Sequence, residues 1–495
     1  MTETHKISTA RITPADVCRL VLEGARLSLS DEAIAAIVHC REYLDKKMET
    51  CKEPIYGITT GFGSLCNISI NADDLSQLQK NLVMSHACGV GDRVNSRIVK
   101  TMLLLKVQSL SYGNSGVQLS TVQRMIDFFN EDIIPVVYQQ GSLGASGDLA
   151  PLANMCLPLL GLGEVEYKGK TVPAADVLAE KGWEPVRLMS KEGLALLNGT
   201  QFMSAHAVWG AWRAKTLVQK ANRIAAMSLD AFDGRIEPFG KEVNEVRHHA
   251  GQIAVAADMS RLLAGSELIA QPKVHVQDPY SFRCIPQVHG AVLDAIDFVY
   301  NVITDEINSP TDNPTIFPDE DIIVSAGNFH GEPIAMPMDY LALAMTELSN
   351  ISERRIYKLI GGTRGLPSFL VAKPGLNSGF MITQYAAASI LNQSKGLCWP
   401  TSCDSIPSSQ GQEDHVSMGS NSATKLIRIV DNTTRILGIE LMAAAQALEF
   451  RRPLRSSAET EALFADFRTY VPFVDVDTVM SPLLDKSIKY VDECM

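Results

Sequence analysis

The chain has 495 residues, 46% hydrophobic and 20% charged, an ordinary composition for a globular protein with a sizeable core. Its formal net charge of −12 argues against a phosphate-tracking surface, so no nucleic-acid partner is expected. No apolar run approaches the roughly 18 residues of a membrane span, and no basic stretch precedes an apolar one near the start, so a cytoplasmic protein with no membrane association is expected.

Length alone allows two to four domains. The ten cysteines include no Cys-x-x-Cys pair and read as free thiols of a reducing compartment. No metal site is expected. There is no His-Glu-x-x-His, and the adjacent His248 and His249 would lie on different faces of a helix.

In chain order, Pro14-Ala15-Asp16 opens a short helix over 14–23, and Ser30-Asp31-Glu32 caps another over 31–48. The segment Ile55-Tyr56-Gly57-Ile58-Thr59-Thr60-Gly61-Phe62-Gly63 is a mobile loop by composition. Apolar residues three and four apart predict helices over 76–88, 96–110 and 118–130, and a hairpin is expected at 164–172. Four long helices follow, over 192–232, 287–308, 338–361 and 417–450. In the last, Ala423, Ile427, Val430, Thr434, Leu437, Leu441, Ala444 and Leu448 form a seam of coiled-coil type. A helix of ~33 residues is ~50 Å long. That exceeds what a compact monomer needs, so a homo-oligomer is expected. Arg451-Arg452-Pro453 ends this helix, and short helices fold back after it.

The string Gly141-Ser142-Leu143-Gly144-Ala145-Ser146-Gly147-Asp148 has a chemistry of its own. In a tight enough turn the Gly147 amide nitrogen can attack the Ala145 carbonyl carbon and close a five-membered ring with loss of water. Dehydration of Ser146 then leaves an exocyclic methylene, giving a methylidene-imidazolone, an electron-poor alkene that requires no external cofactor. Gly147 has no Cβ to obstruct the attack. A plain loop before a helix is the alternative for a bare Ala-Ser-Gly.

The extended string resembles the signature of the methylidene-imidazolone-dependent aromatic amino acid ammonia-lyases. Gly-Ile-Thr-Thr-Gly-Phe-Gly (57–63), Leu-Leu-Asn-Gly-Thr-Gln (196–201), Gln-Asp-Pro-Tyr-Ser-Phe-Arg-Cys (277–284), Gly-Asn-Phe-His-Gly-Glu-Pro (327–333) and Gln-Glu-Asp-His-Val-Ser-Met (412–418) resemble further blocks, in the family's order. The likeness runs from about 12 to 480. It implies a mainly α fold with a long-helix central bundle of the aspartase/fumarase–ammonia-lyase type, over 196–495, and a mixed N-terminal region, 1–195, carrying the prosthetic-group turn. It also implies a homotetramer whose active sites are shared between subunits.

Carried over residue by residue, the resemblance makes Tyr56 the catalytic base and Tyr280 a second hydroxyl donor. Asn198 is the partner of the prosthetic oxygen, Arg283 holds the substrate carboxylate, and Gln277 assists it. Phe329 is a pocket wall. The pair Ser85-His86 occupies the specificity position, where phenylalanine-specific members tend to carry Phe-Leu and tyrosine-specific ones often His-Leu. In Gln412-Glu413, a carboxylate stands where those members carry an amide. A buried carboxylate needs a positive or donating partner, which the imidazole and amine of histidine provide and a phenyl ring does not. The expected reaction is therefore elimination of ammonia from L-histidine to trans-urocanate, with Glu413 binding substrate or moving a proton. The alternatives are a tyrosine or phenylalanine lyase, an aminomutase, or a catalytically dead helical scaffold. Ala326 departs from the second glycine usual in histidine-specific relatives.

Overall fold

The computed structural model describes residues 3–50, 55–61, 63–65, 70–71 and 74–495. Phe62, Cys51 and Cys66 lie outside the described residues. Helices predominate: α1 (Pro14–Leu22), α2 (Asp31–Thr50), α3 (Leu75–His86), α4 (Ser96–Ser111), α5 (Leu119–Asn130), α6 (Leu149–Cys156), α7 (Ala174–Lys181), α8 (Glu192–Leu197) and α9 (Gln201–Ala231). Then come α10 (Lys241–Glu245), α11 (Ala250–Leu262), α12 (Glu267–Ala270), α13 (Tyr280–Arg283), α14 (Ile285–Glu306), α15 (Glu332–Leu359), α16 (Met381–Leu397), α17 (Gly419–Glu449), α18 (Ala458–Tyr470) and α19 (Ser481–Glu493).

Strands are few and short. β1 (Thr4–Ile7) pairs in parallel with β2 (Arg26–Leu29), and β3 (Val90–Arg93) pairs antiparallel with β5 (Tyr138–Gln140). β4 (Ile134–Pro135), β6 (Glu164–Tyr167) and β7 (Lys170–Pro173) form an antiparallel sheet, and β8 (Thr315–Phe317) pairs with β9 (Ile322–Val324). The β6–β7 hairpin turns on Lys168 and Gly169, at φ 51° and 76°. Positive φ at both central residues matches the twist of the flanking strands.

The chain forms two compact units, each discontinuous in sequence. One comprises Met1–Trp212, Tyr300–Asp339 and Pro400–Leu426; the other comprises Arg213–Val299, Tyr340–Trp399 and Ile427–Met495. In the first, α4 is buried on nearly every face, with Met102, Leu103, Leu104, Val107 and Leu110 in the core. In the second, the Arg355 guanidinium pairs with Glu440 at 2.5 Å, both fully buried, and Ser228 and Ser352 donate to the same carboxylate.

The fold departs from the sequence expectation in several places. The stretch 192–232 is two helices: α8 ends at Asn198 with extended backbone, Gly199 follows at φ 113°, and α9 starts at Gln201. Helix α15 begins at Glu332 and carries Pro337 inside it, so the proline kinks no boundary there. His248 is not helical: it sits at φ 61° and His249 is the N-cap of α11. Helix α16 has no counterpart among the expected elements, because its buried positions are largely small or polar, with Thr383, Ala387, Leu391 and Ser394 facing inward. In α17, seven of the eight seam residues are buried, Ile427 is half-buried, and the covered face extends further to Ile429, Ile436 and Ala443.

Candidate active site

The Ala145-Ser146-Gly147 turn is held by a neighbour far along the chain. Gly147 bridges Gly199 in parallel, the Asp148 N–H donates to the Gly199 carbonyl at 2.8 Å, and the Gly199 N–H donates to the Ser146 carbonyl at 3.4 Å. The interruption between α8 and α9 is thus what receives the turn. Ser146 adopts φ 51° and Gly147 φ 81°, the left-handed region that a side chain rarely tolerates. A Cβ on Gly147 would lie 2.1 Å from the Gly199 carbonyl oxygen, so only glycine fits. Ser142 braces the turn from the other side, its hydroxyl donating to the Gly147 carbonyl at 3.2 Å.

Asp148 is a residue the sequence reading passed over. Although it precedes α6, its carboxylate makes no cap bond there. It accepts from the Phe202 and Met203 N–H groups of α9, at 2.9 and 3.0 Å, and from the Ser420 hydroxyl at 3.0 Å. It therefore fastens the reactive turn to the first turn of α9, whose free N–H groups favour a carboxylate. Burial pushes its carboxyl up to about 7, against those hydrogen bonds.

A cavity of about 500 Å³ opens on the turn, with Tyr56, Ser85, His86, Ser146, Asn198 and Glu413 in its wall. Leu65, Leu78, Leu82, Leu149, Leu194 and Leu197 line it as well. Six of the expected site residues therefore share one pocket, contributed by the 55–61 loop, α3, the reactive turn, the α8–α9 break and the loop before α17. The Ser146 hydroxyl donates to Glu413 Oε1 at 3.3 Å, and Ser408 donates to Glu413 Oε2 at 2.7 Å. Ser408 is a second residue the sequence did not announce, since a serine in a Ser-rich loop carries no pattern. The Tyr56 hydroxyl accepts from the Gly63 N–H at 3.3 Å. Burial holds the His86 imidazole below its ordinary value, with the Glu413 charge pulling the other way; its Nδ1 lies 3.1 Å from the Ser85 hydroxyl.

Asn198 donates from Nδ2 to the Asn313 carbonyl at 2.9 Å, while its Oδ1 is buried with no partner among the described residues. Ala145 and Gly147 are buried to either side of Ser146. Gln412 is exposed and Phe329 half-buried, and neither is in the cavity wall. Ala326 donates its N–H to Asn313 Oδ1 at 2.7 Å, which a glycine would do equally. Gln277, Tyr280 and Arg283 belong to the other unit, where they cluster: the Arg283 guanidinium bonds the Gln277 side-chain carbonyl and lies 4.6 Å from the centre of the Tyr280 ring. Tyr280 is 69% exposed. Among the described residues no group of three or more His, Cys, Asp or Glu side chains could hold a metal ion.

A helical fold that clamps an Ala-Ser-Gly turn against a pocket holding a tyrosine, a histidine and a carboxylate defines a class of lyase. The family model for aromatic amino acid lyases matches residues 12–469, and the chain belongs to that family. It is 45% identical to a histidine ammonia-lyase of Caldanaerobacter subterraneus subsp. tengcongensis, over 97% of this chain and 93% of the relative. A solved histidine ammonia-lyase from Trypanosoma cruzi superposes with a TM-score of 0.92 at 40% identity, covering 99% of this chain and 93% of that one. A tyrosine aminomutase from Streptomyces globisporus superposes with a TM-score of 0.94 at 34% identity, covering 99% and 97%. The fold alone therefore does not distinguish a lyase from a mutase.

Proposed function

We propose that this enzyme eliminates ammonia from L-histidine to give trans-urocanate, the first step of histidine breakdown. The observation that carries the choice of substrate is the Glu413 carboxylate, which lines a largely leucine-walled cavity together with His86 and beside Ser146. A carboxylate there is costly unless the ligand brings a cation or donors. Histidine brings both an amine and an imidazole.

Residues 145–147 fit the methylidene-imidazolone, since the turn is left-handed at Ser146 and Gly147 and has no room for a Cβ at Gly147. Formed there, that group supplies an electrophilic alkene, which turns the amine into a competent leaving group. Tyr56 is the base that removes the β-proton. Glu413, fixed by Ser408, accepts from the substrate's nitrogen-bound protons, and His86 with Ser85 recognises the imidazole edge. Burial lowers the His86 imidazole, which disfavours a second positive charge beside the substrate's ring. Asn198 stabilises charge at the prosthetic oxygen.

The substrate carboxylate is taken by Arg283 with Gln277, and Tyr280 donates a hydroxyl. We assign these three to a second copy of the chain in a homotetramer, consistent with the helix lengths. Phe329 and Gln412 complete the walls in that assembly. A cytoplasmic location is consistent with the charge of −12 and the absence of any helix, among the described residues, long and apolar enough to cross a membrane.

The test is a substrate panel. Incubation with L-histidine, L-tyrosine and L-phenylalanine should release urocanate, read by its ultraviolet absorbance, at far the highest rate from histidine. Cinnamate, coumarate or a β-amino acid as the main product would overturn the assignment in favour of an aromatic lyase or mutase.

A further inference from the structure

Lys106 lies in the middle of α4, 1% exposed, in the apolar run Met102-Leu103-Leu104-Leu105-Lys106-Val107. Its ammonium donates to the backbone carbonyl of Asn198 at 2.7 Å, its one hydrogen-bond partner among the described residues. That carbonyl sits at the end of α8, where no following helical turn supplies an N–H to it. Gly199, the next residue, receives the Gly147 bridge, and Thr200 carries the chain into α9.

Burying an ammonium for a single carbonyl is expensive. An apolar side chain of similar volume would avoid that cost but leave the Asn198 carbonyl unmet, so the two effects largely offset. Lys106 thus brings little net stability, but it holds Asn198, one of the expected site residues of the cavity wall. Asn198 is held at two points, its carbonyl by Lys106 and its Nδ2 by Asn313, and Oδ1 is left unpartnered in a residue of the cavity wall.

We propose that Lys106 is a positioning residue for the reaction, its ammonium fixing the Asn198 carbonyl and so setting the Asn198 amide against the cavity beside Ser146. The inference deepens the lyase reading and rests on Asn198 serving the reaction as that reading has it. The charged and titratable groups facing the ammonium are Asp312 and Asp148, which favour the charged form, Lys191, which opposes it, and the buried Cys156 thiol. Burial outweighs them and brings the ammonium down to about 8, so its charge is lost on the alkaline side of neutrality.

The test compares Lys106→Met and Lys106→Arg with the full-length wild type, using whichever aromatic amino acid the wild type turns over. A failed assignment of histidine therefore leaves this test intact. A hydrogen bond from a charged group predicts that Lys106→Met lowers kcat by about tenfold to a hundredfold, with KM changed by less than about threefold. Its thermal midpoint should change little, since relief of the buried charge offsets the unmet carbonyl. Lys106→Arg should recover most of kcat and carry the alkaline limb of the kcat profile to higher pH. Independently of activity, a crystal structure of Lys106→Met should show the Asn198 amide displaced from the cavity wall. Wild-type kcat in Lys106→Met with Asn198 unmoved would overturn the proposal. So would a loss of kcat matched by a fall in the thermal midpoint and left unrescued by arginine.

Discussion

Ser146 Oγ and Glu413 Oε1 lie 3.3 Å apart although 267 positions separate them in the chain. One end of that contact belongs to a strained turn pinned by Gly199. The other belongs to a loop pinned by Ser408. The carboxylate consequently stands beside the turn proposed to form the prosthetic group.

Glu413→Gln keeps shape and volume and removes the charge. Loss of a charged hydrogen bond predicts a fall in kcat/KM for histidine of about one to two decades, with the unfolding midpoint nearly unchanged. A larger fall in kcat points to proton transfer by the carboxylate. Adding His86→Leu should raise relative turnover of phenylalanine or tyrosine. Steady-state kinetics on the three amino acids checks both outcomes.

Gly147→Ala should fail to mature. Its Cβ would sit 2.1 Å from the Gly199 carbonyl oxygen, at a φ of 81° that alanine disfavours, so the turn must leave Gly199. The near-ultraviolet absorbance of the matured group should be absent, and turnover with it. Ser146→Ala is the companion variant. It should also lack the absorbance and nearly all activity while folding and assembling normally, because its backbone has no new collision to avoid.

Mixed oligomers test the assignment of Arg283 to a second copy of the chain. Tyr56→Phe and Arg283→Ala are each expected to be nearly inactive alone. After subunit exchange, hybrids should regain a fraction of wild-type turnover, because some sites then carry both intact residues. Absence of recovery with exchange demonstrated by mass spectrometry would place the site within one chain.

Acid stability should carry a signature of His206. The ring is fully buried, its Nδ1 lies 2.8 Å from the Phe202 carbonyl, and burial lowers it from 6.5 to about 4. Between those values the unfolded imidazole binds a proton that the folded one does not. Its contribution is complete above pH 6.5 and is lost as pH falls toward about 4, to the extent of about 3 kcal/mol. In His206→Leu that part of the acid loss should vanish. Denaturant midpoints of both proteins across pH 4 to 7 check the prediction.

Much of this protein is legible along the chain, because its informative features are local. Helix α4, the β6–β7 hairpin and α17 follow from periodicity and turn residues within their own segments. The chemistry proposed for Ala145-Ser146-Gly147 rests on three consecutive residues whose side chains are small or absent where a ring would close. Other features depend on encounters that no local pattern encodes. The stretch 192–232 reads as one helix, since Asn198-Gly199 is only a mild interruption to an apolar period; it breaks because Gly199 must lie flat against Gly147. Asp148 carries no local pattern, and only the fold shows its carboxylate taken by Phe202 and Met203 of another helix. Lys106 interrupts an apolar run, and only the packing of α4 against the end of α8 reveals the carbonyl it holds. The sequence by itself determined which groups can react, because that is set by covalent structure and short-range geometry. Which groups stand together around them was decided by tertiary structure, through burial that makes each unmet donor or acceptor costly enough to demand a partner from far along the chain.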